Sequence, residues 1–106
     1  MNLLKETIDT IQEYNFTWPA DVAYIKTRDW TICKDVEIPI SLFAEVADRN
    51  YNNGYGTAEV DQNLIIVMKT GDYFVRDEYD GAEGWEFVPV QINPPKIIAK
   101  EYNPFN

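Results

Sequence analysis

Histidine is absent from the chain, and cysteine occurs once, as Cys33. Without histidine the protein lacks the usual general base at neutral pH and the commonest metal ligand. A single thiol forms no intramolecular disulfide, which fits a reducing compartment. Cys33 also has no histidine to activate it as a nucleophile. We therefore expect a structural, partly buried thiol, and a protein that is not an enzyme.

Long apolar runs are also missing. The longest, Leu64 to Met68, is far short of the ~18 residues of a membrane helix. The first residues, Met1 to Glu6, do not have the charged-then-apolar order of a signal peptide. We expect a cytoplasmic protein without a membrane segment. Basic clusters are absent from the sequence as well, which argues against direct binding to nucleic acid.

Positive charge is scarce, because 18 Asp and Glu stand against 9 Lys and Arg and give a formal net charge of -9. Residues 35–86 hold twelve carboxylates and only three cations, whereas the two flanking segments nearly balance. Such a stretch attracts cationic partners and repels nucleic acid. Many of its carboxylates neighbour aromatic residues, which anchor protein interfaces. The charge pattern therefore predicts a binding protein, without naming its partner.

Hydrophobic periodicity predicts two helices. The first spans residues 3–14, and the second spans residues 42–50 with Ser41 as its N-cap. Each has an apolar stripe at helical spacing. The stripes consist of Leu3, Leu4, Ile8 and Ile11 in the first helix and of Leu42, Phe43, Val46 and Ala47 in the second.

Five strands are predicted from β-branched and aromatic runs and from the turns between them. Residues 22–26 and 30–36 form a hairpin with a turn at 27–29, which places Trp30 and Ile32 on one face of the second strand. Three later runs form a meander. They cover residues 64–69, 73–79 and 83–90.

The predicted order is therefore α-β-β-α-β-β-β. It indicates a single small α+β domain over residues 1–92, with an antiparallel sheet made of a strand hairpin and a three-stranded meander, and with two helices on one face. Residues 93–106 contain three prolines and are predicted to form an extended C-terminal tail. Ile97 and Ile98 would be the means of docking that tail on the core.

The segment 76–87 is the candidate site, since five of its residues are acidic. If its hairpin pivots on Gly81, Arg76 lies opposite Glu86, and Asp77 shares an aromatic face with Trp85. Arg76 then either forms a cross-strand ion pair or contacts an anionic ligand. Asp77 is either solvated or hydrogen-bonded at the end of the sheet, or it recognises a cation.

Two weaker signals concern metals and phosphates. Oxygen atoms of Asp80, Glu83 and Glu59 or Asp61 would suit Ca²⁺ or Mg²⁺, although their spacing is not that of a calcium loop. Residues 54–56 carry half of a dinucleotide-binding signature, after a helix instead of a strand. An ordinary turn, or a loop that presents Tyr55 to a groove, fits residues 54–56 better. We therefore expect neither a metal nor a cofactor.

The segment from Trp30 to Phe87 resembles small uncharacterised proteins encoded by phages and prophages. The likeness lies in the helix Phe43–Asp48, the loop Tyr51–Gly56 of the form Y-x-x-G-[FY]-G, the strand Leu64–Val67, and the ending Arg76–Phe87 of the form R-x-E-Y-D-G-x-E-x-W-E-F. Small accessory phage proteins are often anti-defence factors, such as anti-CRISPR proteins. Many of these are acidic and cover the basic groove of a nucleic-acid-binding enzyme. The resemblance therefore implies an inhibitor in the cytoplasm of a host cell.

Three functions remain open at this point. The first is a non-enzymatic inhibitor that docks on a basic surface of a host or defence protein. The second is a protein that sequesters a small molecule or nucleotide, with Arg76 on a phosphate and Tyr55 or Trp85 stacked on the base. The third is a structural or assembly component that forms a homodimer through an exposed strand edge. The predicted partner contacts of the first function are Asp77, Glu78, Asp80, Glu83, Glu86, Tyr55, Tyr79 and Trp85.

Overall fold

The computed structural model describes residues 1–52, 54, 58–79, 82–90 and 93–106. The predicted α+β class is confirmed, and so is the order of the first seven elements. An eighth element, a short strand, follows them. The elements are α1 (Leu3–Glu13), β1 (Val22–Asp29), β2 (Lys34–Ile38), α2 (Ile40–Ala47), β3 (Ile65–Met68), β4 (Tyr73–Tyr79), β5 (Ala82–Val88) and β6 (Ile97–Ile98).

All the described strands belong to one sheet, in the order β5-β4-β3-β1-β2-β6. Neighbouring strands are antiparallel except for β2 and β6, which pair in parallel through Val36 with Ile97 and Glu37 with Ile98. The sheet is therefore mixed, whereas the sequence predicted an antiparallel one. The difference is due to β6, which follows the predicted meander in the chain and pairs in parallel with β2. β5 and β6 form the two edges of this sheet.

The C-terminal segment packs on the rest of the protein. After β6, Phe105 forms an isolated bridge with Val60, and the amide of Asp61 donates to the carbonyl of Pro104 at 2.6 Å. Tyr102 and Phe105 are both half-buried against the core. Within residues 93–106, β6 lies beside β2 and completes one edge of the sheet.

The core lies between the two helices and one face of the sheet. In α1 the buried residues are Leu3, Thr7 and Ile11, while Leu4 and Ile8 lie half-buried beside them. The fully buried stripe therefore includes Thr7, whereas the predicted stripe had Leu4 and Ile8. Thr7 can be buried because its hydroxyl donates to the Leu3 carbonyl at 2.7 Å. The sheet side of the core includes Ile25, Ile38, Ile66, Met68 and Phe74.

The helices begin differently from one another. Asn2 caps α1, since its Oδ1 atom accepts from the Lys5 amide at 2.9 Å. α2 begins at Ile40, and Pro39 occupies the N-cap position without a side-chain hydrogen bond. The predicted cap at Ser41 is therefore wrong. Proline is tolerated at a helix start, because its missing amide would have no partner there.

The β1–β2 hairpin turns later in the chain than predicted. β1 continues through Asp29, and the loop consists of residues 30–33. Asp29 Oδ1 accepts from the Thr31 amide at 2.9 Å, and Cys33 has a positive φ of 53°. Trp30 and Ile32 consequently lie in an exposed loop, and not on a strand face. Cys33 is exposed as well, so the prediction of a partly buried thiol is wrong.

Candidate functional site: two edges of one sheet

The β4–β5 hairpin has a register one residue away from the predicted one. Arg76 lies opposite Trp85 and Asp77 opposite Gly84, whereas the sequence paired Arg76 with Glu86. Because side chains alternate along a strand, a shift of one residue moves every β5 side chain to the other face. Trp85 consequently shares the inner face with Arg76. Asp77 shares the outer face with Glu86.

Arg76 lies at the centre of a buried ionic cluster under this hairpin. Its side chain is 0% exposed, and its Nη1 atom lies 3.1 Å from Glu6 Oε1. Its Nη2 atom donates to the Tyr51 hydroxyl at 3.0 Å and lies 3.5 Å from Glu83 Oε1. The Cζ atom lies 4.8 Å from the centre of the Trp85 ring. We call these residues the Arg76 cluster: Glu6, Tyr51, Arg76, Glu83 and Trp85.

Glu83 joins this cluster to the loop before β3. Its side chain is fully buried and accepts from the amides of Glu59 at 2.7 Å and Val60 at 3.1 Å. Such charge-assisted bonds to backbone amides are strong. Glu83 therefore has a structural role, which corrects its prediction as a partner contact. Its oxygen atoms are already engaged, and the described residues hold no group of three or more side chains suited to a metal ion.

The cluster also decides between the two interpretations of Arg76. The ion pair is present, with Glu6 and Glu83 in place of Glu86, and it leaves the guanidinium without access to a phosphate. Trp85 is half-buried, its ring faces Arg76, and its Nε1 atom donates to Thr7 at 3.1 Å. The predicted ligand contacts of Arg76 and Trp85 are thereby corrected, because both side chains are engaged within the protein.

Tyr51 is a buried member of the Arg76 cluster. Its hydroxyl donates to Glu6 Oε1 at 2.6 Å while it accepts from Arg76. Burial and, to a lesser degree, the neighbouring Glu6 carboxylate raise the pKa of Tyr51 far above its usual value, against the opposing effect of Arg76. The phenol stays protonated and holds α1 to the hairpin.

The outer face of the same hairpin is exposed. Tyr79 is 82% exposed, and the side chains of Asp77 and Glu86 are exposed with it. Asp77 faces Gly84, which has no side chain, and Tyr79 faces Ala82. In the described structure, no ion pair involves Asp77 or Glu86. We call these three residues, Asp77, Tyr79 and Glu86, the acidic face.

The structure does not place the other three predicted contacts, Glu78, Tyr55 and Asp80, on this acidic face. Glu78 is exposed at the end of β4, on the side of the sheet that Arg76 occupies, and it makes an interaction within the protein. Tyr55 and Asp80 lie outside the described residues. The structure therefore places only part of the predicted contact set on one surface.

A second region, which the sequence did not predict, lies at the opposite edge. An open cleft of about 700 Å³ separates the 30–33 loop from the C-terminal segment. Trp30 is 65% exposed on one side, and Ile98 is 58% exposed on the other. In the floor, Asp61 Oδ2 accepts from the Tyr102 hydroxyl at 2.7 Å and from the Thr27 hydroxyl. Burial, reinforced by the Asp61 charge, raises the pKa of Tyr102 far above its usual value.

Arg28 lies over the Trp30 ring, with 5.2 Å between its Cζ atom and the ring centre. Its Nη1 atom is 3.6 Å from Asp35, which also accepts from Lys26 Nζ at 2.9 Å. The hydrogen bond from Lys26 holds the pKa of Asp35 below its usual value, with Arg28 adding a smaller effect. This ion pair is half-exposed, unlike the Arg76 cluster.

Two buried donors lack an acceptor among the described residues, and they belong to these two arginines. They are Arg28 Nε and Arg76 Nε. Each arginine lies over a tryptophan ring, so a cation–π contact takes the place of one hydrogen bond. Each arginine is thereby held in a fixed orientation.

A comparison with known proteins finds no matching family model, no matching curated protein and no matching solved structure. In the part of the chain that the structure describes, neither helix has the length and apolar character needed to cross a membrane.

Proposed function

We propose that this protein is a non-catalytic inhibitor that docks its acidic face on a basic surface of a host or defence protein. The observation that carries the proposal is Tyr79. It is the most exposed large hydrophobic residue that the structure describes, and it lies on the same strand face as Asp77. An exposed tyrosine beside unpaired carboxylates combines an anchor with a charge that selects a cationic partner.

The charge distribution supports the same partner chemistry. With a net charge of -9, the protein attracts a basic surface from a distance and associates with it faster. No cation of β4 or β5 weakens the acidic face, because Arg76 is the only one in these strands and is turned into the core. Association is therefore expected to slow as salt screens the charges.

The Arg76 cluster contributes to docking indirectly. It fixes the inner side of β4 and β5, so the acidic face is presented by two paired strands with anchored side chains beneath them. A surface that is already ordered loses less conformational entropy on binding. The alternative of nucleotide sequestration depended on Arg76 for the phosphate and on Tyr55 or Trp85 for the base. Arg76 and Trp85 are both engaged in this cluster, and Tyr55 lies outside the described residues.

The proposal places the protein in the cytoplasm of a host cell, where an inhibitor of a nucleic-acid-binding enzyme would meet its target. A reducing compartment also keeps the exposed thiol of Cys33 free.

The test is a pull-down from cells that carry defence systems, followed by affinity measurement with the enzyme recovered. Two variants with the same change in charge are compared, Asp77→Asn/Glu86→Gln on the acidic face and Glu13→Gln/Glu45→Gln on the helices. We expect about a tenfold loss of affinity for the first pair and little change for the second. Tyr79→Ala is expected to lower the affinity about thirtyfold, which corresponds to about 2 kcal/mol of binding free energy.

Two results would contradict the proposal. One is equal loss in the two charge-matched variants, which would indicate a general effect of net charge without a defined face. The other is an affinity that neither Tyr79→Ala nor added salt changes. Thermal unfolding of each variant checks that the fold persists, since all five substituted side chains are exposed.

A further inference from the structure

Exposed apolar residues are concentrated at the edge opposite the acidic face. The described residues include eight large hydrophobic side chains that are exposed, and four of them line the same cleft. A concentration of this kind marks an interaction surface. The four are Trp30 at 65%, Ile32 at 48%, Ile97 at 36% and Ile98 at 58% exposure.

The shape of this region provides both a projection and a recess. The 30–33 loop is exposed throughout and forms one rim of the cleft, with Trp30 at its start. The cleft itself, about 700 Å³, is open to solvent next to this loop. In a dimer with two-fold symmetry, the rim of each copy can occupy the recess of the other copy.

The charges of the cleft differ from those of the rest of the protein. Its lining carries Arg28 and Lys100 together with Asp29 and Glu101, and its remaining carboxylate, Asp61, is hydrogen-bonded to Tyr102 and Thr27. A surface with both signs can pair with itself, whereas the acidic face would repel its own copy. The charge pattern therefore favours a second copy of this chain over a strongly charged partner.

We propose that the protein forms a two-fold symmetric homodimer through this cleft, with the 30–33 loop of each copy seated in the cleft of the other. Five strand spacings of about 4.8 Å separate β6 from β5, so the two edges of one sheet lie about 24 Å apart. This distance exceeds two Debye lengths at physiological salt. Dimerisation through the cleft therefore joins the least acidic edges and keeps the acidic faces away from each other.

The dimer is independent of the proposed docking function. Both acidic faces stay exposed at opposite ends of the dimer, so each copy keeps its own partner site. Failure of one proposal therefore leaves the other standing, because different residues carry them.

The first experiment measures molar mass by light scattering from low micromolar to millimolar concentration. The wild-type chain of 12.3 kDa is expected to rise to twice that mass. Trp30→Ala and Ile98→Lys are expected to stay monomeric over the same range. Tyr79→Ala, at the far edge, is the control and is expected to dimerise like the wild type, although it loses partner binding.

The second experiment uses Cys33 as a reporter, since it is the only cysteine of the chain and lies exposed in the loop. Reaction of its thiol with an excess of Ellman's reagent is expected to slow as protein concentration rises, because the loop becomes covered. In Trp30→Ala the rate is expected to be independent of concentration. A wild-type protein that stays monomeric overturns the proposal. A dimer that survives both Trp30→Ala and Ile98→Lys, with Cys33 equally reactive at all concentrations, overturns it too.

Discussion

An arginine stacked on a tryptophan occurs at each edge of the sheet, with opposite consequences. Arg76 is buried and Trp85 half-buried, whereas Arg28 is half-exposed at the end of β1 and Trp30 lies in the exposed 30–33 loop. In the buried pair, two carboxylates and a phenol surround the guanidinium; in the exposed pair, Asp35 is the anionic neighbour. Burial therefore decides whether this pair of residue types holds the fold together or leaves a surface for another molecule.

Desolvation explains this difference between the two pairs. A charge that is removed from water is stabilised by its partners, so the loss of one partner leaves an uncompensated buried charge. Exposed ion pairs contribute little, because water and salt screen them. The cost of breaking each pair is therefore the most direct measurement of the difference between the two edges.

The largest effect is expected for Arg76→Met, which strands the carboxylates of Glu6 and Glu83 in the core. We expect a loss of about 3–5 kcal/mol in the free energy of unfolding. The matched variant Arg28→Met, in the exposed pair, is expected to cost less than about 1 kcal/mol. Urea unfolding of both variants tests this, and similar losses in the two would show that burial is not what separates the edges.

An intermediate effect is expected at the floor of the cleft. Tyr102→Phe removes a hydrogen bond to the Asp61 carboxylate and is expected to cost about 1.5–3 kcal/mol at neutral pH. Tyr79→Phe, whose hydroxyl is exposed, is the control and is expected to cost less than about 0.5 kcal/mol.

The same two variants are expected to differ in how their free energy of unfolding changes at alkaline pH. The pKa of Tyr102 is raised in the folded protein, whereas the unfolded chain loses this proton near pH 10.0. The stabilisation is therefore complete below that pH and declines as the pH rises beyond it. Tyr102→Phe is expected to flatten this decline, and Tyr79→Phe is expected to leave it unchanged. A decline that is equally steep in both variants would contradict the assignment to Tyr102.

The smallest effect is expected for Asp35→Asn, which removes the half-exposed carboxylate between Lys26 and Arg28. We expect a loss of about 0.2–1 kcal/mol at pH 7. The pKa of Asp35 is lowered by the Lys26 hydrogen bond, so its contribution is present above its usual value of 3.8 and disappears as the pH falls below it. Unfolding curves of wild type and variant should converge in acid; a constant gap would place the effect elsewhere.

Local patterns were enough to predict the first seven elements in order, but not the register of the β4–β5 hairpin. The periodicity of residues 3–14 and the alternation in 73–79 predicted α1 and β4 almost to the residue. The predicted hairpin register was wrong, because acidic residues occur at both odd and even positions in 76–87 and a shift of one residue exchanges the faces. The inner position of Arg76 is accompanied by contacts with residues distant in the chain, among them Glu6, 70 residues away.

The second edge was missed for a different reason. Trp30 and Ile32 have strand-forming side chains, so composition placed them in the second strand and placed the turn at 27–29. In the structure the turn follows Asp29, whose Oδ1 atom accepts from the Thr31 amide. The cleft also needs the C-terminal segment, whose parallel pairing with β2 spans about sixty residues and leaves no local trace in the sequence. Sites assembled from such distant segments depend on tertiary contacts that periodicity does not encode.

β6 pairs in parallel with β2 and follows all the other described strands in the chain, so it is synthesised after them. Ile97 and Ile98 leave the ribosome after all the other strands, and Phe105 follows to meet Val60. Until then the outer edge of β2 has no strand beside it and Val60 has no ring across from it. A nascent chain at that stage already contains the strands of the acidic hairpin, β4 and β5, while its apolar edge is still open.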